Sequence, residues 1–345
     1  MKDSVVDTQL EKHLHKKRRF RLLILLGVLS ALLAAVLVIG IFYIAVAHQG
    51  NRVPPLPPLS VANVGAAPRF LFSINGVARP LGVAVSPAGD RIYVTESDGP
   101  RETKIFDRDG RLLGALNPPD SNPASRTPVY VAVSPKGEIY VSDRLIGAVH
   151  MYSPEGKYLG RLKPPGEVVG SWEPLALSFD DHANLFVTDT SPGGHRVTAF
   201  GPDGVELWQF GQNEGSAERL SYPNGAIADH SGRIVVADSN NCRVVVLDAN
   251  GKQLWSFGRE GEWADLGMPR GLAIDDNNRL YVVDTINHDV LIFDLGKQKA
   301  RLLYTIGIQG TGDGEFDFPN GVATDHTGRL YVTDRENNRV QVWTY

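Results

Sequence analysis

The sequence predicts an all-β fold, a six-bladed β-propeller with four-stranded antiparallel blades, preceded by one transmembrane α-helix. Three observations predict this fold. One pattern recurs six times along the chain, each copy contains four short runs of strand-forming residues, and one long apolar run precedes the first copy. The 36 glycines and 22 prolines suit a chain with many short strands and frequent turns.

The apolar run covers residues 22–47 and contains no charged residue. A helix needs about 20 such residues to cross the bilayer core, so this run predicts a transmembrane helix. Residues 1–21 are rich in Lys and Arg, and the positive-inside rule therefore predicts that this tail is cytoplasmic and that the rest of the chain is exported. The predicted location is the cell membrane, with a single span and an extracytoplasmic C-terminal domain.

A cleaved signal peptide is the alternative, because Ala45-Val46-Ala47 fits a small-x-small cleavage pattern. The apolar core of a signal peptide is about 7–15 residues long, however, and the longer run here favours an uncleaved anchor. The proline-rich residues 48–68 predict a stiff, extended linker. The propeller then comprises residues 69–345.

The formal net charge of −4 is unevenly distributed. The first 21 residues include seven basic and three acidic residues and carry +4, so the rest of the chain carries −8. This acidic body lacks the electrostatic footprint of a nucleic-acid-binding protein, and no nucleic-acid partner is expected. Cys242 is the only cysteine, so no intrachain disulfide can form and packing must hold the domain together.

Six prolines mark the starts of the repeats, at successive spacings of 48, 46, 49, 46 and 50 residues: Pro80, Pro128, Pro174, Pro223, Pro269 and Pro319. The first run of each repeat is rich in small and apolar residues, as an inner strand near a crowded axis should be. A turn follows, typically with Asp and Gly. The second run is almost continuously apolar, which predicts burial on both faces. The third run alternates and the fourth carries aromatic residues, which completes a four-stranded blade.

The ends of the chain predict how the ring closes. The sixth repeat stops at Tyr345, after its third strand. Residues 70–74 line up with the fourth strand of the fifth repeat, residues 302–306. The N-terminal strand is therefore predicted to complete the last blade, which leaves no unpaired seam in the ring.

Three short motifs recur in repeats four to six: Pro-x-Gly-Val-Ala-x-Asp, Leu-Tyr-Val-x-Asp and Asn-Arg-Val, each in exact or closely related form. Through them, residues 70–345 resemble the NHL-repeat family. Repeats one and two depart from the pattern, since Pro118-Pro119 and Pro164-Pro165 replace the glycine-rich connector. The fold is also similar to that of peptide-amidating lyases and, more distantly, of gluconolactonase-like propellers. The resemblance to those enzymes implies metal ligands around the central channel, but no set of His, Glu and Asn lines up here with their motifs.

Two sets of residues, one acidic and one of histidines, are of types that bind metal ions, but their positions in the repeats do not favour a metal site. An acidic residue ends the second run of every repeat: Glu96, Asp143, Asp189, Asp238, Asp284 and Asp334. We interpret these as structural carboxylates that accept backbone N–H groups in the following turn. His182, His230 and His326 occupy the first hairpin turn of three different blades, so they cannot converge to about 2.0–2.1 Å from one zinc ion. No metal site and no catalytic residue is predicted.

A ligand-binding surface is predicted on the face where the chain enters the inner strands. Six residues are expected beside the axis on this face: Arg79, Tyr130, Glu173, Asn224, Arg270 and Asn320. The loop between the second and third strands shares this face and contributes four more: His195, His288, Arg243 and Arg339.

These features favour a membrane-anchored, extracytoplasmic binding or scaffold module that presents one propeller face to a protein, peptide or glycan ligand. No cofactor is expected for such a module. The alternative is a metal-dependent hydrolase or lyase, lactonase-like or peptide-amidating-lyase-like, with Ca²⁺ or Zn²⁺ in the central channel.

Overall fold

A computed structural model describes residues 67–162, 172–192, 194–211, 219–258 and 265–345. The predicted tail and transmembrane helix, and all but the last two residues of the predicted linker, lie outside the described residues. Within the ranges that the structure describes, no helix is both long and apolar enough to cross a bilayer.

Six separate four-stranded antiparallel sheets form the described domain, as predicted for a six-bladed propeller. The inner strands all begin at the predicted prolines and are β2 (Pro80–Val85), β6 (Pro128–Val133), β10 (Pro174–Phe179), β14 (Pro223–Ala228), β18 (Pro269–Ile274) and β22 (Pro319–Thr324). The second strands end at the predicted acidic residues and are β3 (Arg91–Glu96), β7 (Ile139–Asp143), β11 (Leu185–Asp189), β15 (Ile234–Asp238), β19 (Arg279–Asp284) and β23 (Arg329–Asp334).

Two further sets of strands complete the blades. The third strands are β4 (Thr103–Asp107), β8 (Ala148–Tyr152), β12 (Arg196–Phe200), β16 (Arg243–Leu247), β20 (Asp289–Leu295) and β24 (Arg339–Thr344). The outer strands are β1 (Arg69–Ile74), β5 (Leu112–Leu116), β9 (Tyr158–Arg161), β13 (Glu206–Phe210), β17 (Gln253–Phe257) and β21 (Ala300–Ile306). Two short 3-10 helices, Pro123–Ser125 and Ser239–Asn241, lie in connections between strands.

The last blade is closed by the N-terminal strand, which confirms the prediction made from the chain ends. Strand β1 pairs antiparallel with β24, with Phe70 opposite Trp343 and Ile74 opposite Val340. The rings of Phe70 and Trp343 meet edge to face at 5.9 Å, and Ile74 is only 1% exposed. The first and last strands of the domain therefore share one sheet.

The hydrophobic core lies between the blades rather than inside any one of them. Six clusters of buried side chains each join two neighbouring blades. All five residues of β15 are buried, because a second strand has a neighbouring blade on each of its faces. This confirms the burial on both faces that the continuous apolar runs predict.

Hydroxyl groups tie the inner parts of neighbouring blades together. Neighbouring blades belong to separate sheets, so no backbone ladder joins them. At each of the six junctions a Ser or Thr hydroxyl donates instead to a backbone carbonyl of the adjoining inner strand; the donors are Thr95, Ser142, Ser178, Ser239, Thr285 and Thr333. We call these six contacts the hydroxyl bridges.

The Pro-x-Gly motif reflects how closely the inner strands approach one another. A Cβ on Gly225 would lie 2.5 Å from the carbonyl oxygen of Arg270, and one on Gly321 would lie 2.4 Å from that of Leu81. Only glycine fits at such a distance from a neighbouring backbone. Blade two has Tyr130 at the corresponding position, and its side chain reaches towards the central channel.

Candidate functional site

A cavity of about 440 Å³ opens at the end of the central channel where the inner strands begin. All six blades contribute to its wall, which consists of Arg79, Leu81, Ser97, Val129, Tyr130, Arg144, Leu175, Thr190, Tyr222, Asn224, Asn240, Met268, Arg270, Asn320 and Arg335. We call this cavity the channel mouth. Its volume lies within the range of roughly 300–1,000 Å³ that is usual for small-ligand sites.

One ring of residues in the wall of the channel mouth is apolar on one side and polar on the other. The residue that follows the proline of each inner strand faces the cavity. In blades one to three this residue is apolar, and in blades four to six it is polar: Leu81, Val129 and Leu175, then Asn224, Arg270 and Asn320. Val129 and Leu175 belong to one apolar cluster, with Leu81 packed against it. The site therefore offers a ligand two chemically different walls.

Three side chains from different blades form a hydrogen-bonded chain at the channel mouth. Arg270 Nη1 donates to Asn320 Oδ1 at 2.7 Å, and Asn320 Nδ2 donates to the Tyr130 hydroxyl at 3.1 Å. Burial raises the pKa of Tyr130 to about 12, although Arg270 and the bond from Asn320 act to lower it. The phenol is therefore neutral at ordinary pH, and its own proton is available to an acceptor in the cavity.

Positive charge dominates the channel mouth. Arg79, Arg144, Arg270 and Arg335 line it, and among the lining residues that the structure describes there is no Asp or Glu. Glu336 lies nearby and accepts from Arg79 at 2.6 Å and from Arg335 at 2.9 Å. One carboxylate thus serves two guanidinium groups, and the described residues of the site carry a net positive charge.

In three blades, the residue before the inner strand is held in the same way. Arg79, Tyr222 and Phe318, each directly before an inner-strand proline, adopt positive φ angles of 45°, 50° and 49°. Their backbone N–H groups donate across the blade junction, to Asn338 Oδ1 at 2.9 Å and to the Nδ1 atoms of His195 and His288 at 3.1 Å each. Positive φ is unfavourable for bulky residues, so these acceptors stabilise a strained conformation.

The two histidines also contact the aromatic rings that follow. The ring centroids of His195 and Tyr222 are 4.4 Å apart, and those of His288 and Phe318 are 4.6 Å apart. Since Nδ1 accepts a hydrogen bond in each histidine, the neutral ring carries its proton on Nε2. His195 and His288 therefore act as positioning residues rather than as groups that project into the cavity.

Replacing His288 with Ala is expected to lower the free energy of unfolding by about 1–3 kcal/mol, because the N–H of Phe318 loses its partner. His288→Asn is the matched control, since Asn338 makes the same bond to Arg79 in blade six. It should recover most of the loss. Urea denaturation followed by circular dichroism measures both variants, and equal destabilisation by Ala and Asn would contradict this role.

The structure brings together five of the ten predicted site residues: Arg79, Tyr130, Asn224, Arg270 and Asn320 all line the channel mouth. Glu173 lies at the entry to β10, where its N–H donates to Asp189 Oδ1 at 3.1 Å, but it is not a lining residue. Arg243 and Arg339 are 2% and 9% exposed and are paired with Asp238 and Asp334. Their position is structural, because each guanidinium neutralises a carboxylate inside its blade.

The acidic residues have the structural role interpreted from the sequence, but the donors that all six share lie before the inner strand. Leu145 and Ser191 donate from the following turn, as expected. Each carboxylate accepts a backbone N–H from the segment that enters its own inner strand; the donors are Ala78, Thr127, Glu173, Ser221, Met268 and Asp317. Glu96 is the odd member: burial raises its pKa, although Lys104, 2.8 Å away, acts to lower it.

The three turn histidines lie where the sequence placed them, in the turns between inner and second strands. His230 and His326 interact with neighbouring turns, through the Asp275 carbonyl oxygen at 3.0 Å and the Asp276 carboxylate at 2.8 Å. In the described ranges, no group of three His, Cys, Asp or Glu residues comes together in a way that could hold a metal ion.

Several lining residues lie outside the set predicted from the sequence. Tyr222 and Met268 directly precede an inner-strand proline, and Arg144 and Arg335 directly follow the acidic residue that ends a second strand. Both positions recur in every repeat, so aligning the repeats by these two columns would have identified them. These residues are recognised by their position in the aligned repeats and not by any single motif.

A sequence model of the NHL repeat matches residues 220–247, 266–293 and 316–343. The chain therefore contains NHL repeats, and the matched segments fall in repeats four to six, where the motifs are clearest. Among curated proteins, none matches the chain significantly.

Solved structures of other propellers share the fold. A streptogramin B lyase is 12% identical, with 80% of this chain and 98% of that chain covered and a TM-score of 0.56. Virginiamycin B lyase from Staphylococcus aureus is 14% identical, with coverage of 81% and 99% and a TM-score of 0.55. A candidate gluconolactonase is 16% identical, with coverage of 81% and 92% and a TM-score of 0.58. At such low identities the likeness shows the fold alone.

Proposed function

We propose that the protein is a membrane-anchored, extracytoplasmic binding module whose channel mouth binds a protein, peptide or glycan ligand. The observation that carries this proposal is a cavity of about 440 Å³ whose wall combines apolar side chains, amides, hydroxyls and guanidinium groups from six blades. Sites of this kind hold ligands because a rigid scaffold fixes a few polar groups around an apolar surface.

The anchoring part of the proposal rests on residues 22–47, whose apolar length and basic N-terminal flank are those of a single-span anchor. The proline-rich segment at residues 48–68 would hold the propeller away from the bilayer. A propeller held in this way presents its channel mouth to soluble or surface-bound partners. The charge of the propeller argues against nucleic acid as a partner.

The ligand-binding part is tested with the full chain on peptide and glycan arrays. Asn240 is exposed at the channel mouth, so Asn240→Trp fills the site while leaving the inner strands intact. Lys157→Trp, on an exposed turn between β8 and β9, is the matched control. We expect array ligands of the wild type to be lost by Asn240→Trp and kept by Lys157→Trp. Absence of any ligand, or equal binding by both variants, would reject the channel mouth as the binding site.

An enzyme is the second candidate: a hydrolase or lyase with its site in the central channel. It is favoured by the lyases and the candidate gluconolactonase that share the fold. The described lining residues contain no imidazole, thiolate or carboxylate, so they do not fit a Ca²⁺ or Zn²⁺ centre of ordinary composition. One equivalent of either metal in purified protein, together with lactone hydrolysis that is lost on chelation, would establish this candidate instead.

A further inference from the structure

Arg270 is the one lining residue whose charge is both largely buried and left without a carboxylate in the described part of the chain. Nη1 donates to the neutral Asn320, and Nη2 lies 3.4 Å from Met268 Sδ, a weak acceptor. Nε is buried without any hydrogen-bond partner in the structure. Burial lowers the pKa of this guanidinium, an effect that the proximity of Arg335 increases.

Other buried arginines in this domain are either neutralised or fully hydrogen-bonded. Five of them pair with an Asp at 2.6–2.7 Å, and these are Arg196, Arg233, Arg243, Arg279 and Arg339. Arg126, 6% exposed, has no carboxylate among the described residues but donates to the carbonyl oxygens of Arg101, Ser121 and Pro100 and to the Ser121 hydroxyl. Burial of an uncompensated charge is costly, and proteins ordinarily pair such groups. Arg270 has neither a carboxylate nor a set of carbonyl acceptors in the described part of the chain, and it lies in the wall of the cavity, where an anionic ligand would supply the missing partner.

The neighbouring charges strengthen the attraction for an anion. Arg79, Arg144 and Arg335 line the same cavity, and Glu336 is the single carboxylate paired with any of them in the described residues. Like charges gathered around a concave, partly desolvated site focus the field on its interior. Arg270 lines the same cavity and is itself largely shielded from water, so an anion beside it would be attracted by all four guanidinium groups.

The apolar side of the wall, across the channel from Arg270, places a second requirement on the ligand. Val129 and Leu175, 6% and 7% exposed, form an apolar surface together with Leu81. A small inorganic anion would leave this surface in contact with water. An anionic group attached to an apolar body would cover the exposed part of Leu81 and remove its own apolar surface from water, which would add to the affinity at about 25 cal/mol per Å².

We propose that the channel mouth binds a carboxylate that carries an apolar body, with the carboxylate on Arg270 and the apolar part against Val129 and Leu175. This inference rests on the proposed binding role and names the chemistry of its ligand. The same chemistry is offered by a small organic acid and by the C-terminus of a peptide that ends in an apolar residue.

A stability measurement tests the role of Arg270 without any ligand. If its charge is held for a ligand, Arg270→Met should leave Tm unchanged or raise it, because the variant removes an uncompensated buried cation. Arg243→Met removes a paired arginine and should lower Tm. A large decrease in Tm for Arg270→Met would show that Arg270 is structural and would overturn the inference.

Isothermal titration calorimetry on the full chain tests the ligand class with three probes. Phenylacetate has both the charge and the apolar body, phenylacetamide lacks the charge, and acetate lacks the apolar body. We expect saturable binding of phenylacetate that is roughly 10- to 100-fold tighter than that of either other probe. Arg270→Gln should remove this preference for the carboxylate, whereas Arg111→Gln, an exposed arginine on the turn before β5, should leave it unchanged.

Two further probes distinguish the sources of the carboxylate. N-acetylphenylalanine ends as a peptide does, and N-acetylphenylalaninamide is its uncharged counterpart. Tighter binding of N-acetylphenylalanine than of phenylacetate would indicate a peptide C-terminus, and the reverse order a small organic acid.

Equal affinities for the charged and uncharged probes, no binding of any acid, or an unchanged preference in Arg270→Gln would overturn the inference. The proposed function would survive such a result if array ligands were still lost by Asn240→Trp. The two failures are therefore distinguishable.

Discussion

Deleting residues 1–75 is expected to abolish the folded propeller, because the deletion removes β1 and leaves blade six with three strands. Strand β1 contributes Ile74 to the cluster between blades six and one, with Phe72 packed against it. Burying side chains of this size contributes about 1.5–3 kcal/mol each, and the strand ladder adds to that. The total is comparable with a whole domain stability of about 5–15 kcal/mol.

The deletion also exposes β24 as an unpaired edge with an apolar face, which favours association between chains. We expect the shortened chain to aggregate and to lose its cooperative thermal transition, as measured by light scattering and circular dichroism. Deleting residues 1–66, which leaves β1 in place, is the control and should keep the transition. A soluble, cooperative product from the longer deletion would show that three strands suffice for blade six.

A graded version of the same test uses single substitutions in β1. Ile74→Ala should cost about 2–5 kcal/mol, as expected for a fully buried aliphatic residue. Leu71, on the same strand, is 44% exposed, and Leu71→Ala should change stability by no more than about 0.5 kcal/mol.

We expect the second large loss of stability from breaking the buried ion pair in blade four. Arg243 Nε lies 2.6 Å from Asp238 Oδ2, and the two side chains are 2% and 0% exposed. Arg243→Met would leave the carboxylate buried without its cation, which typically costs about 3–5 kcal/mol. Chemical denaturation monitored by tryptophan fluorescence should show a corresponding loss in the free energy of unfolding.

The matched control is Arg301→Met. Arg301 pairs with Asp294 at a similar distance, 2.8 Å, but the two side chains are 56% and 52% exposed. Exposed pairs contribute about 0–1 kcal/mol because water screens them. Similar losses in the two variants would mean that burial does not determine the strength of these pairs.

Much of the fold could be predicted because each blade repeats the same local requirements. The prolines at the starts of the inner strands and the acidic residues at the ends of the second strands set the register of every sheet. The incomplete sixth repeat predicted the closure by β1. The hydroxyl bridges could not be predicted in this way, because their donors come from different columns of the repeat and depend on the distance between blades.

The site was harder to predict, because exposure cannot be inferred from residue type. The sequence predicts Arg243 and Arg339 on the binding surface because their loop shares the face where the chain enters the inner strands. The Asp five residues before each of them was the sign of an internal pair. Tyr222 was not predicted because its outward position depends on a positive φ angle and on an acceptor, His195, from the preceding blade.

The hydroxyl bridges have a consequence for how the domain opens. In an open array of repeats, the first and last units have one neighbour each and fray before the others. Here the bridges from Ser142 and Thr333 belong to a series that returns to its starting point, so every blade has two neighbours. Opening any one blade breaks two junctions, so we expect no blade to exchange its inner-strand amides before the others, as a terminal repeat of an open array would.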